Sequence, residues 1–246
     1  MSDVLFLILK ALTVLSTLVM FLSPAPTVYQ IHKTKVIGEV SVIPLVSLLA
    51  NTHSWAVYGL LSGSLFPIFT AAVIGEVAAL VFIVVYVIHT TDKAYALKAA
   101  GFAVTFAVIF TTYAVLGRFG VTNQSHSQVA DWAGYIAIVV SLVLNASPFE
   151  TVVKVIKTKS SSSIPIWLSA AGVVSNTLWT VYGFIDDDMI VAIPNTCWTI
   201  FGVVQVALYV AYSPKKSPAR DTKTALTPLG NSSEFKIVIS PTSLHQ

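Results

Sequence analysis

The sequence predicts an all-α membrane protein in which seven transmembrane helices form two parallel three-helix repeats joined by a linker helix. Three observations support this prediction. Of the 246 residues, 55% are hydrophobic and only 10% are charged, whereas an ordinary soluble domain carries about 25% charged residues. Long stretches contain no Asp, Glu, Lys or Arg, and two segments that lie 124 residues apart share specific motifs. So much apolar sequence requires a lipid environment.

Each helix is predicted from a stretch long enough to cross the hydrocarbon core, which takes roughly 20 mainly apolar residues. The stretch 40–75 is too long for one helix and contains GLLSGSLFP, which is typical of a turn. It therefore divides into two helices, and the second continues past Glu76. The N-terminal run contains Lys10 and has no basic segment before it, which favours a retained span over a cleaved signal peptide. The predicted spans are 4–31, 40–61, 66–89, 97–117, 131–156, 164–185 and 189–212.

The basic residues predict the orientation, because they concentrate in cytoplasmic loops. The loops after the first, third and fifth spans contain lysines, as does the C-terminal segment. The loops on the opposite side contain one basic residue, Arg118. The C-terminus is therefore predicted to be cytoplasmic and the N-terminus to be outside. The acidic triplet Asp186–Asp188 then lies on the outer side. We expect the plasma membrane rather than an internal membrane.

The segments outside the spans have their own predictions. Asn123, in the motif NQS of the outer loop, is a predicted N-glycosylation site. Residues 214–246 are rich in Ser, Thr, Pro and Lys, and this composition predicts a disordered cytoplasmic tail. The single cysteine, Cys197, excludes a disulfide framework. A net charge of +3, spread over loops, argues against a nucleic-acid partner.

An internal repeat defines the organisation of the chain. Residues 23–59 align with residues 147–183 with eleven identities in 37 positions, among them S-P-x-x-T-V, K-T-K and W-x-V-Y-G. Because one extra helix lies between them, the two repeats run parallel, and their pseudo-two-fold axis follows the membrane normal, as in some transporters. This symmetry predicts a shared site between the repeats. The predicted regions are a first repeat (1–92), a linker helix with an outer loop (93–128), a second repeat (129–213) and the tail (214–246).

Four prolines lie inside or at the ends of predicted spans: Pro24, Pro44, Pro148 and Pro165. Proline removes a backbone hydrogen bond and bends a helix. Unsatisfied backbone is costly in lipid, so such bends are expected at helix contacts or beside a wet cavity. A single proline would fit a helix cap equally well. Their occurrence in both repeats favours hinges.

These motifs resemble those of the SWEET sugar transporters over about residues 4–212. The segments that carry the resemblance are SPAPTVYQIHKTK, SVIPLVSLLANTHSWAVYG, SPFETVVKVIKTKSSSSIPIWLS, NTLWTVYG and IPNTCWTIFGVVQVALYVAY. The resemblance implies a facilitative, bidirectional uniporter of mono- or disaccharides that works by alternating access in the lipid bilayer. It implies no cofactor, and it implies a homo-oligomer.

The resemblance also implies roles for individual residues. It places the hinge prolines of the family on the four prolines named above. It places the outer gate of the family on Tyr58 and Asp188. Its substrate-binding positions fall on both repeats: Trp55, Thr70, Asn176, Trp179 and Asn195. This chemistry suits a sugar, because an asparagine side chain both donates and accepts hydrogen bonds without a charge. Aromatic rings suit the flat C–H faces of a pyranose.

The chain departs from the family pattern at two positions. The family's first repeat usually carries a second substrate asparagine in the third span, which here reads FPIFTAAVIGEVAAL. The alignment places residues 69–71 at that position, where Thr70 supplies the only hydroxyl. Trp198 stands where a small residue, usually glycine, is common. We expect both departures to affect the range of substrates.

Other classes of protein fit less well. The histidines are scattered and lack metal-ligand spacing, so the sequence predicts neither a metal site nor an enzyme. The nearest alternative is a proton-coupled transporter of the PQ-loop type for amino acids or another small solute, in which Glu76 would be the coupling acid. However, no glutamine follows the four hinge prolines. A receptor or scaffold without transport is the third class.

Overall fold

The structure is a computed structural model that describes residues 2–144 and 146–212. In this part of the chain the ordered elements are helices, with no strand. A π-helical turn at Leu65–Phe69 precedes the fourth helix. The α-helices are α1 (Asp3–Phe21), α2 (Ala25–Thr34), α3 (Ile43–Leu61), α4 (Thr70–His89), α5 (Lys93–Arg118), α6 (His126–Leu144), α7 (Ala146–Thr158), α8 (Ile166–Ile185) and α9 (Met189–Tyr212). The predicted tail, 214–246, lies outside the described residues.

The predicted fold class is confirmed: the protein is an all-α membrane protein. Six helical segments of the described chain are long and apolar enough to cross a membrane. They are Asp3–Thr34, Leu65–His89, Lys93–Arg118, His126–Thr158, Ile166–Ile185 and Met189–Tyr212. The remaining predicted span, 40–61, corresponds to α3. This helix is less apolar than the six segments above and packs against α4, α5 and α6. Eleven of its 19 residues are buried. A helix surrounded by protein needs less hydrophobic surface than one that faces lipid.

The first span of each repeat contains one of the predicted hinge prolines. In the first repeat α1 ends at Phe21, and Pro24 caps the start of α2. In the second repeat α6 is described up to Leu144 and α7 from Ala146, and Pro148 is the third residue of α7. Proline is tolerated in a first turn because the N–H that it lacks has no helical partner there.

The other prolines take different positions. Pro44 lies in the first turn of α3, and Pro165 is the N-cap of α8, so neither bends a helix from within. Among the described α-helices, a proline beyond the first turn is Pro194 of α9, which was not predicted from the sequence as a hinge.

Two glycines explain the shared W-x-V-Y-G motif. A Cβ atom on Gly59 would lie 2.7 Å from the backbone nitrogen of Phe69, and one on Gly183 would lie 2.7 Å from the backbone nitrogen of Ala192. Backbone atoms cannot move aside as a flexible side chain can. Each repeat therefore needs glycine where its second helix approaches its third.

The linker helix α5 packs against α3, α4 and α6. Its first turn is capped by Asp92, whose side chain accepts a hydrogen bond from the Tyr95 backbone N–H. Asn123 is exposed in the loop that follows. Its glycosylation stays a prediction, and so do the residue boundaries of the four regions.

Candidate functional site

A cavity of about 510 Å³ lies between the two repeats. This volume lies within the range of small-molecule binding sites, roughly 300–1,000 Å³. All four predicted hinge prolines line the cavity. So do four of the five predicted substrate-binding residues: Trp55, Asn176, Trp179 and Asn195. The shared site predicted from the repeat symmetry therefore has a cavity at the expected place.

The two tryptophans make equivalent hydrogen bonds across the boundary between the repeats. The Trp55 indole N–H donates to Ser141 Oγ on α6 at 3.0 Å. The Trp179 indole N–H donates to Thr17 Oγ1 on α1 at 2.6 Å. Ser141 and Thr17 are themselves 124 residues apart. An indole has a single N–H donor, so each bond orients its ring against the opposite repeat.

A cluster of hydroxyl and carboxyl groups lies beyond the tryptophans, and we call it the tyrosine cluster. The Tyr58 hydroxyl donates to Asp188 Oδ1 at 2.7 Å. The Tyr182 hydroxyl donates to Asp186 Oδ2 at 2.6 Å and lies 3.0 Å from Ser64 Oγ. The pairs Tyr58–Asp188 and Tyr182–Ser64 occupy equivalent positions, because 124 residues separate both their tyrosines and their partners.

The tyrosine cluster closes one end of the cavity. Trp55 meets Tyr58 edge to face with ring centroids 5.7 Å apart, and Trp179 meets Tyr182 at the same distance. Among the described residues, neither tyrosine lines the cavity, whereas both tryptophans do. Pro44 lies 14 residues before Tyr58 on α3, which corresponds to about 21 Å along the helix. The cavity thus runs from the tryptophans towards the prolines.

Asp188, between α8 and α9, is the acid of the triplet with a defined environment. It is half-buried, whereas Asp186 and Asp187 are exposed. Burial raises the pKa of the Asp188 carboxyl above its ordinary value, because desolvation disfavours the charged form. Hydrogen bonds from the Tyr58 hydroxyl and the Val191 backbone N–H act in the opposite direction.

The second repeat supplies two amides to the cavity. Asn195 on α9 donates from Nδ2 to the Val191 carbonyl at 2.8 Å. Within the described chain, no hydrogen-bond partner is found for its Oδ1 or for the side chain of Asn176 on α8. Both side chains are half-buried. A polar group in such a place gains when a ligand supplies the missing partner.

The first repeat presents an apolar wall at the equivalent position. Ala71, the counterpart of Asn195, lines the cavity together with Ile68 and Ala72. The structure does not bring Thr70 to this wall: Thr70 is not among the cavity-lining residues, and its hydroxyl donates to the Leu65 carbonyl at 2.7 Å. The missing asparagine of the third span is therefore not replaced by Thr70.

A different asparagine of the first repeat does reach the cavity. Asn51 on α3 lines it and is only 6% exposed. Its Oδ1 accepts a hydrogen bond from Ser141 Oγ at 2.7 Å, and Ser141 in turn accepts from Trp55. Asn51 was not predicted from the sequence as a site residue. The signal was its spacing, because a polar residue four positions before Trp55 shares its helix face.

The remaining candidates lie elsewhere or form part of the wall. Trp198 lines the cavity and packs against Phe149, with ring centroids 5.6 Å apart. Glu76 does not line it and instead contacts His53. In the described residues there is no group of three or more His, Cys, Asp or Glu side chains that could hold a metal ion.

Two parallel repeats around a central cavity that is closed at one end define a membrane transporter. A sequence profile described as "Sugar efflux transporter for intercellular exchange" matches residues 7–94 and 132–217. The chain therefore belongs to this family, that of the SWEET proteins.

Individual relatives agree with this assignment. The chain is 33% identical over 201 residues to the bidirectional sugar transporter SWEET7 of Arabidopsis thaliana, which covers 79% of this chain and 76% of the relative. It is 30% identical over 216 residues to SWEET15 of Oryza sativa subsp. japonica, with 88% and 67% covered. The 3.7 Å structure of a eukaryotic SWEET transporter superposes with a TM-score of 0.75 at 23% identity, covering 87% of this chain and 99% of the other.

Proposed function

We propose that the protein is a facilitative, bidirectional uniporter that carries a mono- or disaccharide across a membrane by alternating access. The observation that carries this proposal is the cavity between the repeats, which combines two indole rings with amide groups and is closed at one end. Relatives that are named bidirectional sugar transporters support it.

In this proposal the sugar lies between the indoles of Trp55 and Trp179. Their rings pack against its C–H faces, while the amides of Asn195 and Asn176 hydrogen-bond its hydroxyls. Asn51 forms hydrogen bonds with the sugar hydroxyls from the side of the first repeat. A site of this kind rejects analogues that lack a hydroxyl, because they leave its buried polar groups without partners.

Transport requires the closed end to open while the other end closes. The tyrosine cluster separates when Tyr58 leaves Asp188 and Tyr182 leaves Ser64. We expect the first repeat to bend at the break between α1 and α2 beside Pro24, and the second repeat to bend at the corresponding proline, Pro148. No cofactor enters this cycle, and the direction of net transport follows the sugar gradient.

We further propose the orientation that the basic loops predict, with the N-terminus outside and the C-terminus in the cytoplasm of a plasma-membrane protein. The tyrosine cluster then closes the outer side. A homo-oligomer is proposed from the family resemblance.

The proton-coupled alternative is not favoured. A coupling acid should contact the transported solute or its gate, whereas Glu76 does not line the cavity. The relatives named above are sugar transporters.

The test is counterflow of radiolabelled glucose and sucrose in proteoliposomes that contain purified protein. We expect saturable exchange of at least one of the two sugars. Asn195→Ala should slow it at least tenfold, which corresponds to about 1.4 kcal/mol. Asn123→Ala is the matched control, since it removes an amide from the exposed loop and should leave exchange unchanged.

Two results would count against the proposal in different ways. Normal exchange by Asn195→Ala would remove that residue from the site. Failure of the folded wild-type protein to exchange either sugar would overturn the proposed function.

A further inference from the structure

The two amides of the second repeat are not repeated in the first. Asn176 on α8 and Asn195 on α9 line the cavity, and their counterparts 124 residues earlier are Thr52 and Ala71. Thr52 is fully buried and is not among the cavity-lining residues. Its hydroxyl donates to the Leu48 carbonyl of its own helix at 2.9 Å. Ala71 lines the cavity but has no polar side-chain atom, so neither position offers a ligand a hydrogen bond.

The apolar wall described above consists of Ile68, Ala71 and Ala72, all of which are buried. The nearest hydroxyl, that of Thr70, donates to the Leu65 carbonyl at 2.7 Å and is engaged there. The side chains of the wall therefore supply neither a donor nor an acceptor. Because equivalent positions lie on opposite sides of a pseudo-two-fold axis, the wall and the amides belong to opposite sides of the cavity.

The first repeat does present polar side chains in other parts of the cavity. Asn51 lies on α3, and its Oδ1 already accepts a hydrogen bond from Ser141 Oγ at 2.7 Å. Ser23 lies at the break between α1 and α2, beside Pro24. Neither residue belongs to α4 or to the turn that precedes it, so the wall itself stays apolar.

This arrangement gives a bound sugar two different edges. In the proposed function the two indoles cover the faces of the sugar, so its hydroxyls project around the edge of the ring. On one side they meet Asn176 and Asn195, whose amides have unused hydrogen-bonding capacity within the described chain. On the other side a hydroxyl leaves water and meets the apolar wall, which costs free energy.

A trapped water molecule does not remove this cost. An ordered water in a protein interior needs about two to four hydrogen-bond partners. The side chains of Ile68, Ala71 and Ala72 supply none, so a water between the sugar and the wall would itself lack partners. A carbon that carries hydrogen instead of a hydroxyl avoids the cost and adds apolar contact.

We propose that the preferred substrate is a deoxyhexose, a six-carbon sugar in which hydrogen replaces one hydroxyl. Its deoxy carbon packs against the apolar wall, while the hydroxyls of the opposite edge form hydrogen bonds with Asn176 and Asn195. This inference rests on the proposed function, because it concerns the same site, and it narrows the substrate to sugars with one apolar edge. Rejection of analogues that lack a hydroxyl then applies to the amide edge.

The first experiment is a competition assay on the wild-type protein. Counterflow of radiolabelled glucose in proteoliposomes is inhibited with unlabelled glucose and with 2-deoxy-, 3-deoxy-, 4-deoxy- and 6-deoxyglucose. We expect at least one deoxy form to compete at a concentration at least about fivefold lower than glucose, because it no longer buries a hydroxyl without a partner. At least one other should compete about fivefold less well, because it leaves an amide of the second repeat unpaired.

Two patterns of competition would contradict the inference. Weaker competition by every deoxy form than by glucose would show that all edges of the sugar meet polar groups. Equal competition by all of them would show that the site does not distinguish the edges. Either pattern leaves sugar exchange intact and overturns this inference alone, whereas exchange of neither glucose nor sucrose by the folded protein would overturn the proposed function and this inference with it.

The second experiment restores the missing amide. Ala71→Asn places an asparagine at the position equivalent to Asn195, and Ala71→Leu is the matched control, since leucine has a similar branched shape without hydrogen-bonding atoms. The measured quantity is the ratio of the inhibitory concentrations of glucose and of the best deoxy form, which does not depend on the amount of folded protein. We expect Ala71→Asn to shift this ratio about fivefold or more towards glucose, and Ala71→Leu not to do so.

An equal shift in both variants would make the space beside position 71 the cause and would overturn the role of the apolar wall. An unchanged ratio in a folded Ala71→Asn variant would do the same. If the added side chain prevents folding, the competition pattern of the wild-type protein decides the question.

Discussion

The two repeats make equivalent side-chain contacts where they touch each other, but they present different side chains where they line the cavity. Trp55 bonds to Ser141 and Trp179 bonds to Thr17, so the same contact is made twice across the boundary. At the cavity wall, by contrast, the position of Asn195 in the second repeat is occupied by Ala71 in the first. The scaffold is therefore symmetric, while the polar groups that it presents are not.

The same contrast is found at the closed end and at the linker helix. The tyrosines are equivalent, but their carboxylate partners are not: Tyr58 donates to Asp188 of the other repeat, whereas Tyr182 donates to Asp186 four residues further along its own chain segment. The contact between His53 and Glu76 lies in the first repeat, on which α5 packs. The contacts between the repeats are thus symmetric, and the departures from symmetry lie at the polar groups of the proposed site.

The largest expected effect concerns the symmetric frame. Gly59→Ala and Gly183→Ala should each destabilise the protein by up to about 3 kcal/mol, because the new methyl group would lie 2.7 Å from a backbone nitrogen of the next helix. Thermal unfolding in detergent measures the loss. If the frame is symmetric, the two variants should lose similar amounts.

Gly101→Ala is the matched control for these two variants. It lies inside α5, and nothing lies within 4 Å of its added Cβ. Alanine is favoured over glycine in a helix by roughly 0.5–1 kcal/mol, so this variant should unfold at an equal or higher temperature. A loss at Gly101 as large as that at Gly59 would show that close helix contact is not the cause.

The second-largest expected effect concerns the two carboxylates of the tyrosine cluster. Tyr58→Phe removes a donor from the half-buried Asp188 and should destabilise the protein by about 1–2 kcal/mol. Tyr182→Phe should cost less, because water can replace the lost donor at the exposed Asp186. Equal losses in thermal unfolding would contradict the proposed difference between the two carboxylates.

The pH dependence of Tyr58→Phe gives a second measurement. The pKa of Asp188 in the folded protein lies above its ordinary value of 3.8. The associated stability is therefore fully present below that ordinary value and is lost as the pH rises through the raised pKa. Without the Tyr58 donor the pKa rises further, so the loss should extend to higher pH. Asp188→Asn should abolish this component; a persistent component would assign it to another group.

The sequence predicted the helices well because lipid imposes a simple rule on composition. Each predicted span has a helical counterpart, including α3, whose low hydropathy reflects its enclosure by other helices. The cavity was predicted from the repeat, since equivalent residues of parallel repeats face a common axis. The family resemblance implied Trp179 at this site and the repeat placed Trp55 opposite it, and both line the cavity.

The details that symmetry does not determine were harder to predict. Thr70 was selected as the hydroxyl nearest the missing asparagine, but its side chain bonds back to Leu65 in the turn before α4. Asn51 and His53 lie in one polar run, and only the packing of α4 and α6 on α3 reveals that Asn51 lines the cavity whereas His53 contacts Glu76. Long-range partners of this kind leave no periodic signal in a single sequence.

The smallest expected effect concerns the two tryptophans, at which the repeats are most alike. Trp55→Phe and Trp179→Phe remove the indole N–H while retaining an aromatic ring, so each should cost about 1 kcal/mol for one lost hydrogen bond. The partner hydroxyls keep other bonds, Ser141 to Asn51 and Thr17 to the Thr13 carbonyl, which limits the loss. Thermal unfolding measures both costs, and sugar counterflow measures the change in exchange. Equal thermal costs with unequal effects on exchange would show that the two rings share a structural role and that the sugar depends more on one of them. Unequal thermal costs would instead show that the contact between the repeats is itself asymmetric, and the frame would no longer account for the rocking motion about a single axis.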